Sequence, residues 1–131
     1  GGFIQKTIFN EDAIFAGGAI RKGYLIAYNA KAEVMHSHNY GNMEQFRRNF
    51  DLGVSQKQHP EVFEGIKSES EGIKLVKRTM SHLWKNGYKM QILPMIVQSG
   101  FKFLGYKFGK NYTKLPKNFV IKCSMNKLYW Q

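Results

Sequence analysis

Between residues 10 and 22, Ile14, Phe15, Ala19 and Ile20 form an apolar stripe of helical period. Asn10 is a favoured N-cap residue and Gly23 stands at the C′ position, so the pattern predicts a helix over 10–22. Two short apolar runs follow, YLIAY at 24–28 and AEVMH at 32–36, with Asn29-Ala30 placed to turn the chain between them. They read as two strands. A helix and two short strands leave open strand edges, which predicts that the unit belongs to a larger sheet. From Met43 the period becomes helical again. Met43, Phe46, Phe50 and Leu52 lie near one face of a helix over 43–53, with Gly53 expected to end it. Pro60 suits a first helical turn, and Val62, Phe63, Ile66, Ile73, Val76, Met80 and Leu83 carry a further helix towards Gly87. Gly65 and Gly72 are its weak points. A third helical stretch covers 89–108 with Pro94 near its start, and a short helix is expected after Pro116 in a basic, aromatic tail. The reading is mainly α with a small β element, without internal repeats or low-complexity segments.

Charge sharpens this picture more than overall composition does. The 131 residues carry a net charge of +11. All nine acids lie in residues 1–71, where eight Lys and Arg leave that part near −1, whereas residues 72–131 hold twelve Lys and Arg and no acid. Such asymmetry points to an anionic partner for the second half: phosphate, nucleic acid or a lipid surface. The apolar content suffices for a modest core and excludes wholesale disorder. Cys123 is the lone cysteine, so there is no internal disulfide framework, which fits a reducing compartment. The opening Gly-Gly-Phe does not read as a targeting signal, and no uncharged apolar run approaches the roughly 18 residues of a spanning helix.

Four constellations could carry chemistry. Glu11 and Asp12 sit in a first helical turn, where carboxylates interact favourably with the helix dipole by about 0.3–1 kcal/mol. A carboxylate held there could equally act as a general base towards a hydroxyl. His36 and His38 are two apart, so on a strand both imidazoles would face one side and could approach one ion; a surface pair is the simpler alternative. Gln45 and Arg48 share a helical face, where Arg can grip phosphate and Gln can bond a sugar or diphosphate oxygen. In the stretch 93–117, Leu93, Val97, Gly100, Phe101, Leu104 and Phe108 form a stripe, with Gln98, Lys102 and Lys107 off it or at its border. A basic, aromatic amphipathic helix of this kind suits a bilayer interface as well as a protein core.

Taken in order, the segments FNEDAIFAGGAIRKGYLIAYNAKAEVMHSHNY, QFRRNFDLGV and KFLGYKFGKNYTKLP resemble the C-terminal half of a family 2 inverting glycosyltransferase, nearest to the bacterial rhamnosyltransferase-like enzymes of polysaccharide and O-antigen assembly. The resemblance covers nearly the whole chain. It implies a C-terminal fragment of an α/β GT-A domain followed by amphipathic helices, with 1–41 as the acceptor-side edge of the catalytic domain and 42–131 as a basic helical region. It implies Asp12 as the base for the acceptor hydroxyl, with Glu11 positioning. His36, with His38 as second candidate, would help bind a metal–diphosphate, the metal being Mg²⁺ or Mn²⁺. Gln45 and Arg48 resemble a Gln-x-x-Arg-Trp element on the diphosphate, although Asn49 stands where those relatives have Trp. The family's Asp-x-Asp metal motif does not occur here. The resemblance therefore implies that the nucleotide-sugar-binding half lies outside this chain and that the fragment alone is inactive.

The partners expected are a nucleotide-sugar donor, a glycan or lipid-linked acceptor, an anionic membrane surface, the missing N-terminal half, and a second copy paired through open strand edges. The location expected is cytoplasmic, peripheral at the inner face of the cell membrane. A basic module for anionic membrane or nucleic acid is the competing reading. Nucleic acid is disfavoured, because the aromatics fit an apolar stripe better than an exposed stacking platform.

Overall fold

A computed structural model describes residues 2, 4, 6–35, 38–66 and 68–131. Six α-helices order this part of the chain: α1 (Glu11–Arg21), α2 (Asn42–Gln58), α3 (Pro60–Phe63), α4 (Ser68–Lys85), α5 (Ile92–Lys110) and α6 (Lys117–Cys123). Short 3₁₀ turns at Lys89–Gln91, Tyr112–Lys114 and Lys127–Trp130 link or follow the last of them.

α2 is the axis of the molecule. It starts at Gly41, whose N–H donates to the Glu44 carboxylate (2.8 Å), and from Phe50 to Gln56 it is buried on nearly every side. α5 covers one side at unusually close range, and glycine makes this approach feasible. A Cβ added at Gly105 or Gly109 would fall on the carbonyl oxygen of Phe46 or Phe50; one added at Gly53 would stand 2.5 Å from the Tyr106 carbonyl oxygen. Gly53 therefore does not end the helix as its sequence position suggested. It is where α5 leans on α2, and the helix continues to Gln58.

The core gathers Ile8, Phe50, Val54, Val120 and Cys123, with Phe9, Phe46, Tyr112, Leu115, Tyr129 and Trp130 against it. The chain's two ends thus meet on the central helix. Polar bonds fix the meeting. Asp51, 2% exposed, accepts from the Ser124 hydroxyl (2.6 Å) and from the N–H groups of Met125 (2.9 Å) and Asn126 (3.0 Å), clamping the turn after α6. Gln56 accepts from the Tyr106 hydroxyl (2.8 Å) and Gln58 from that of Tyr129 (3.0 Å).

The β expectation is overturned. Among the described residues there is no strand and no sheet, so this part of the chain is all-helical rather than mainly α with a β element, and the α/β edge is not there. After Gly23, at φ +84°, the chain runs as an exposed arm in which Leu25 is 97% and Val34 88% accessible. The turn expected at Asn29 is present: its side-chain and backbone oxygens accept from Lys31 N–H (3.0 Å) and Ala32 N–H (3.1 Å). A two-stranded ribbon this short does not hold itself together without a third strand or a packed face. Open strand edges, the basis for expecting a self-paired oligomer, are therefore absent among the described residues.

Candidate functional site

The acidic pair stands at the start of α1, and both carboxylates are exposed. The Ala13 N–H donates to Asp12 Oδ1 at 2.7 Å, so one oxygen is held at the helix end while the carboxylate remains open to solvent. The helix start is fixed from outside. Asn10 takes a left-handed backbone (φ 63°) and does not cap α1 with its side chain; its Nδ2 instead donates to Ser55 Oγ on α2 (3.3 Å). Ser55 in turn donates to the Phe9 carbonyl oxygen (2.7 Å). At its far end α1 is tied to α3, where Arg21 donates to the Glu61 carbonyl (2.8 Å). The expected capping role of Asn10 thus gives way to a tertiary one.

Arg48 reaches the same corner. Its guanidinium carbon lies 4.9 Å from the centre of the ring of Phe9, the residue whose carbonyl Ser55 holds. The fold therefore draws Arg48 and the segment leading into Glu11-Asp12 together, although 36 positions separate Asp12 from Arg48. Gln45 lies one turn earlier on α2, half-exposed, and its carbonyl oxygen accepts from Asn49 Nδ2 (2.7 Å). A carboxylate can accept a proton from a hydroxyl, and a guanidinium and an amide can hydrogen-bond a polyhydroxyl ligand.

The histidines are placed otherwise. His36 lies outside the described residues. His38, exposed in the arm, stacks on Tyr40 with ring centres 4.7 Å apart. Among the described residues no three His, Cys, Asp or Glu side chains gather as a metal site. The described residues do not build a site for Mg²⁺ or Mn²⁺ by themselves.

With 41% identity over 133 residues, the chain resembles the O-antigen chain rhamnosyltransferase WbaN of Salmonella anatum, the match covering 99% of this chain and 41% of that protein. With 40% identity over 132 residues it resembles the O-antigen chain rhamnosyltransferase RfbN of Salmonella typhimurium, covering 98% of this chain and 41% of that protein. Nearly the whole chain is thus similar in sequence to part of each of these two proteins. It spans about two fifths of the length of the curated relatives it matches. No family model matches the chain. Nor does any solved structure.

Two features of the structure had no motif to announce them. One is the tie from Ser55 to Phe9 and Asn10; a small hydroxyl beside Val54 on a core-facing helix was its single trace in the sequence. The other is an open groove between α4 and α5, lined by Ile73, Val76, Ile96 and Phe103 among others and not by Asp12. Its trace was the wide apolar stripe of Ile73, Val76, Met80 and Leu83 on a helix rich in cations.

Proposed function

We propose that this chain is the acceptor-side part of an inverting, family 2-type glycosyltransferase that adds a sugar, rhamnose by analogy with its relatives' names, to a growing surface polysaccharide. The supporting observation is the similarity of about two fifths identity along almost the entire chain to proteins named O-antigen chain rhamnosyltransferases. In this reading residues 1–41 face the acceptor and 42–131 form the basic helical region. A partner half outside these 131 residues holds the nucleotide-sugar, so the chain alone does not transfer sugar. The acceptor is a glycan or lipid-linked glycan at an anionic membrane surface, on the cytoplasmic side.

Asp12 is the base. As the acceptor oxygen attacks the anomeric carbon, its proton passes to the Asp12 carboxylate. The bond to the nucleoside diphosphate breaks, and the leaving group departs with the electron pair. Attack from the opposite face inverts the anomeric centre. Glu11 holds an acceptor hydroxyl beside it. Arg48 and Gln45 bind diphosphate or sugar oxygens, Arg48 supplying the positive charge that the leaving group needs.

The test uses a full-length transferase that contains this chain. Asp12→Asn is expected to lower kcat by roughly 10²–10⁴-fold, the usual contribution of a general base, with nucleotide-sugar affinity unchanged. Wild-type turnover in that variant would remove Asp12 from the reaction.

A further inference from the structure

α4 and the first half of α5 stand apart from the core and leave an apolar face open. The groove between them encloses about 750 Å³, and its walls are mainly aliphatic: Ile73, Leu75 and Val76 from α4, Met95 and Ile96 from α5. Leu75 is 65% exposed, and so is much of Trp84 (61%) near the end of α4. An uncovered patch of this kind marks an interaction surface.

Charge states what would cover it. Lys77 and Lys102 line the groove, and the Lys89 ammonium lies 4.7 Å from the centre of the Trp84 ring. The acids of α4 are engaged: Glu69 pairs with Lys107 (2.9 Å) and Glu71 with Lys74 (2.7 Å). Beyond Glu71 the sequence has no further acid. Mainly aliphatic walls, an exposed Trp near the end of the same helix and cations beside both are the composition of a helix pair lying in a bilayer interface. No helix among the described residues is long and apolar enough to cross a membrane.

We infer that this face docks on an anionic phospholipid surface. The groove aliphatics and Trp84 sit at the acyl boundary, and Lys77, Lys89 and Lys102 sit among the phosphates. Two-fold pairing with a second copy would set the same cations against each other, and Glu69, the acid that lines the groove, is already paired with Lys107. Nucleic acid would need a row of exposed aromatic planes; Phe103 and Tyr106 line the groove among mainly aliphatic side chains, and the Trp84 ring is already faced by Lys89. The inference deepens the membrane part of the proposed function and rests on it there alone, because lipid binding requires no sugar transfer.

The stretch 93–117, whose sequence suggested the lipid-facing helix, divides its duties. Gly105 and Gly109 lie on α2, and Phe108 meets Phe46 and Phe119 (ring centres 6.1 and 6.2 Å). The bilayer is left the earlier half of α5, together with α4.

The test is sedimentation of the chain with phosphatidylcholine vesicles containing about 30% phosphatidylglycerol, beside pure phosphatidylcholine vesicles. Binding is expected to the anionic vesicles, to fall steeply with salt, and to be accompanied by quenching of Trp84 fluorescence by brominated acyl chains. The triple variant Lys77→Gln, Lys89→Gln, Lys102→Gln should bind about a hundredfold more weakly, at about fivefold per charge, with an unchanged helical spectrum. Trp84→Phe should abolish the quenching. Equal binding to both vesicle types, quenching that survives Trp84→Phe, binding of an oligonucleotide without binding of vesicles, or a dimer that shields Trp84 would each overturn the inference. Asp12→Asn should bind vesicles like the wild type, so this inference and the catalytic reading fail separately.

Discussion

Gly53→Ala places a methyl group against backbone that has no rotamer to yield. The new Cβ would stand 2.5 Å from the Tyr106 carbonyl oxygen, 2.9 Å from the Lys110 nitrogen and 3.1 Å from the Gly109 carbonyl carbon. Ordinary contact lies at about 3.5 Å, so α2 and α5 must part by about 1 Å, and a gap of that size forfeits up to about half of each neighbouring dispersion contact. Overpacking of this kind costs about 1–3 kcal/mol, and rigid obstacles on three sides place this site near the upper value. Helix propensity returns about 1 kcal/mol, because alanine is favoured over glycine inside a helix. The net expectation is a loss of about 2 kcal/mol, or about 8 °C in Tm for a chain of this size. Gly100→Ala, in α5 but with nothing within 4 Å of the added Cβ, is the matched control and should gain about 1 kcal/mol. Urea unfolding followed by far-ultraviolet circular dichroism measures both. If Gly53→Ala were stabilised like Gly100→Ala, the close crossing of α2 and α5 would be wrong.

Asp51→Ala leaves the Met125 and Asn126 N–H groups without their acceptor and should cost about 3 kcal/mol in the same assay, whereas Asp51→Asn can accept from both and donate to Ser124, and should stay within about 1 kcal/mol. Burial pushes the Asp51 carboxyl above its ordinary value, against the opposing pull of its three hydrogen bonds. The stability this group contributes is therefore complete below its unfolded pKa of about 3.9 and is lost as pH rises through the higher folded value. Wild type should lose stability relative to Asp51→Asn between pH 4 and neutrality; a relative gain would mean that the hydrogen bonds outweigh burial. Ser55→Ala removes the partner of both the Phe9 carbonyl and the Asn10 amide and should cost about 1–2 kcal/mol. It should also speed hydrogen exchange in the first turn of α1 more than in α2, and equal effects in the two helices would deny Ser55 its anchoring role.

Much of the helical order was legible in local pattern. The stripe at 10–22, closed by Gly23, gave α1 as Glu11–Arg21, and Pro116 announced α6. Gly65, at φ +84°, interrupts the long stretch after Pro60 as its sequence warned, while Gly72 lies within α4. These features depend on residues a few positions apart, which share a helix face or a turn, so sequence spacing reports them directly. The acidic pair, Gln45 and Arg48 were likewise visible as residue types on predicted helices.

What required the tertiary structure involves partners far apart in the chain. YLIAY and AEVMH have strand-like composition, but a strand forms only where another strand meets its backbone, and none does among the described residues. Asn10 has the composition of a cap, yet the Ser55 hydroxyl, 45 positions away, draws its side chain elsewhere. Gly53 reads locally as a helix end, but the backbone of α5 makes it a point of contact. A charge such as Asp51 is read locally as surface; three donors from the last ten residues make it a buried clamp. Sequence by itself determined where this chain can be helical and where its charge collects. The close approach of α2 and α5 decided which faces were buried, and so left the apolar, basic face of α4 and α5 open, because helix propensity is local and burial is not.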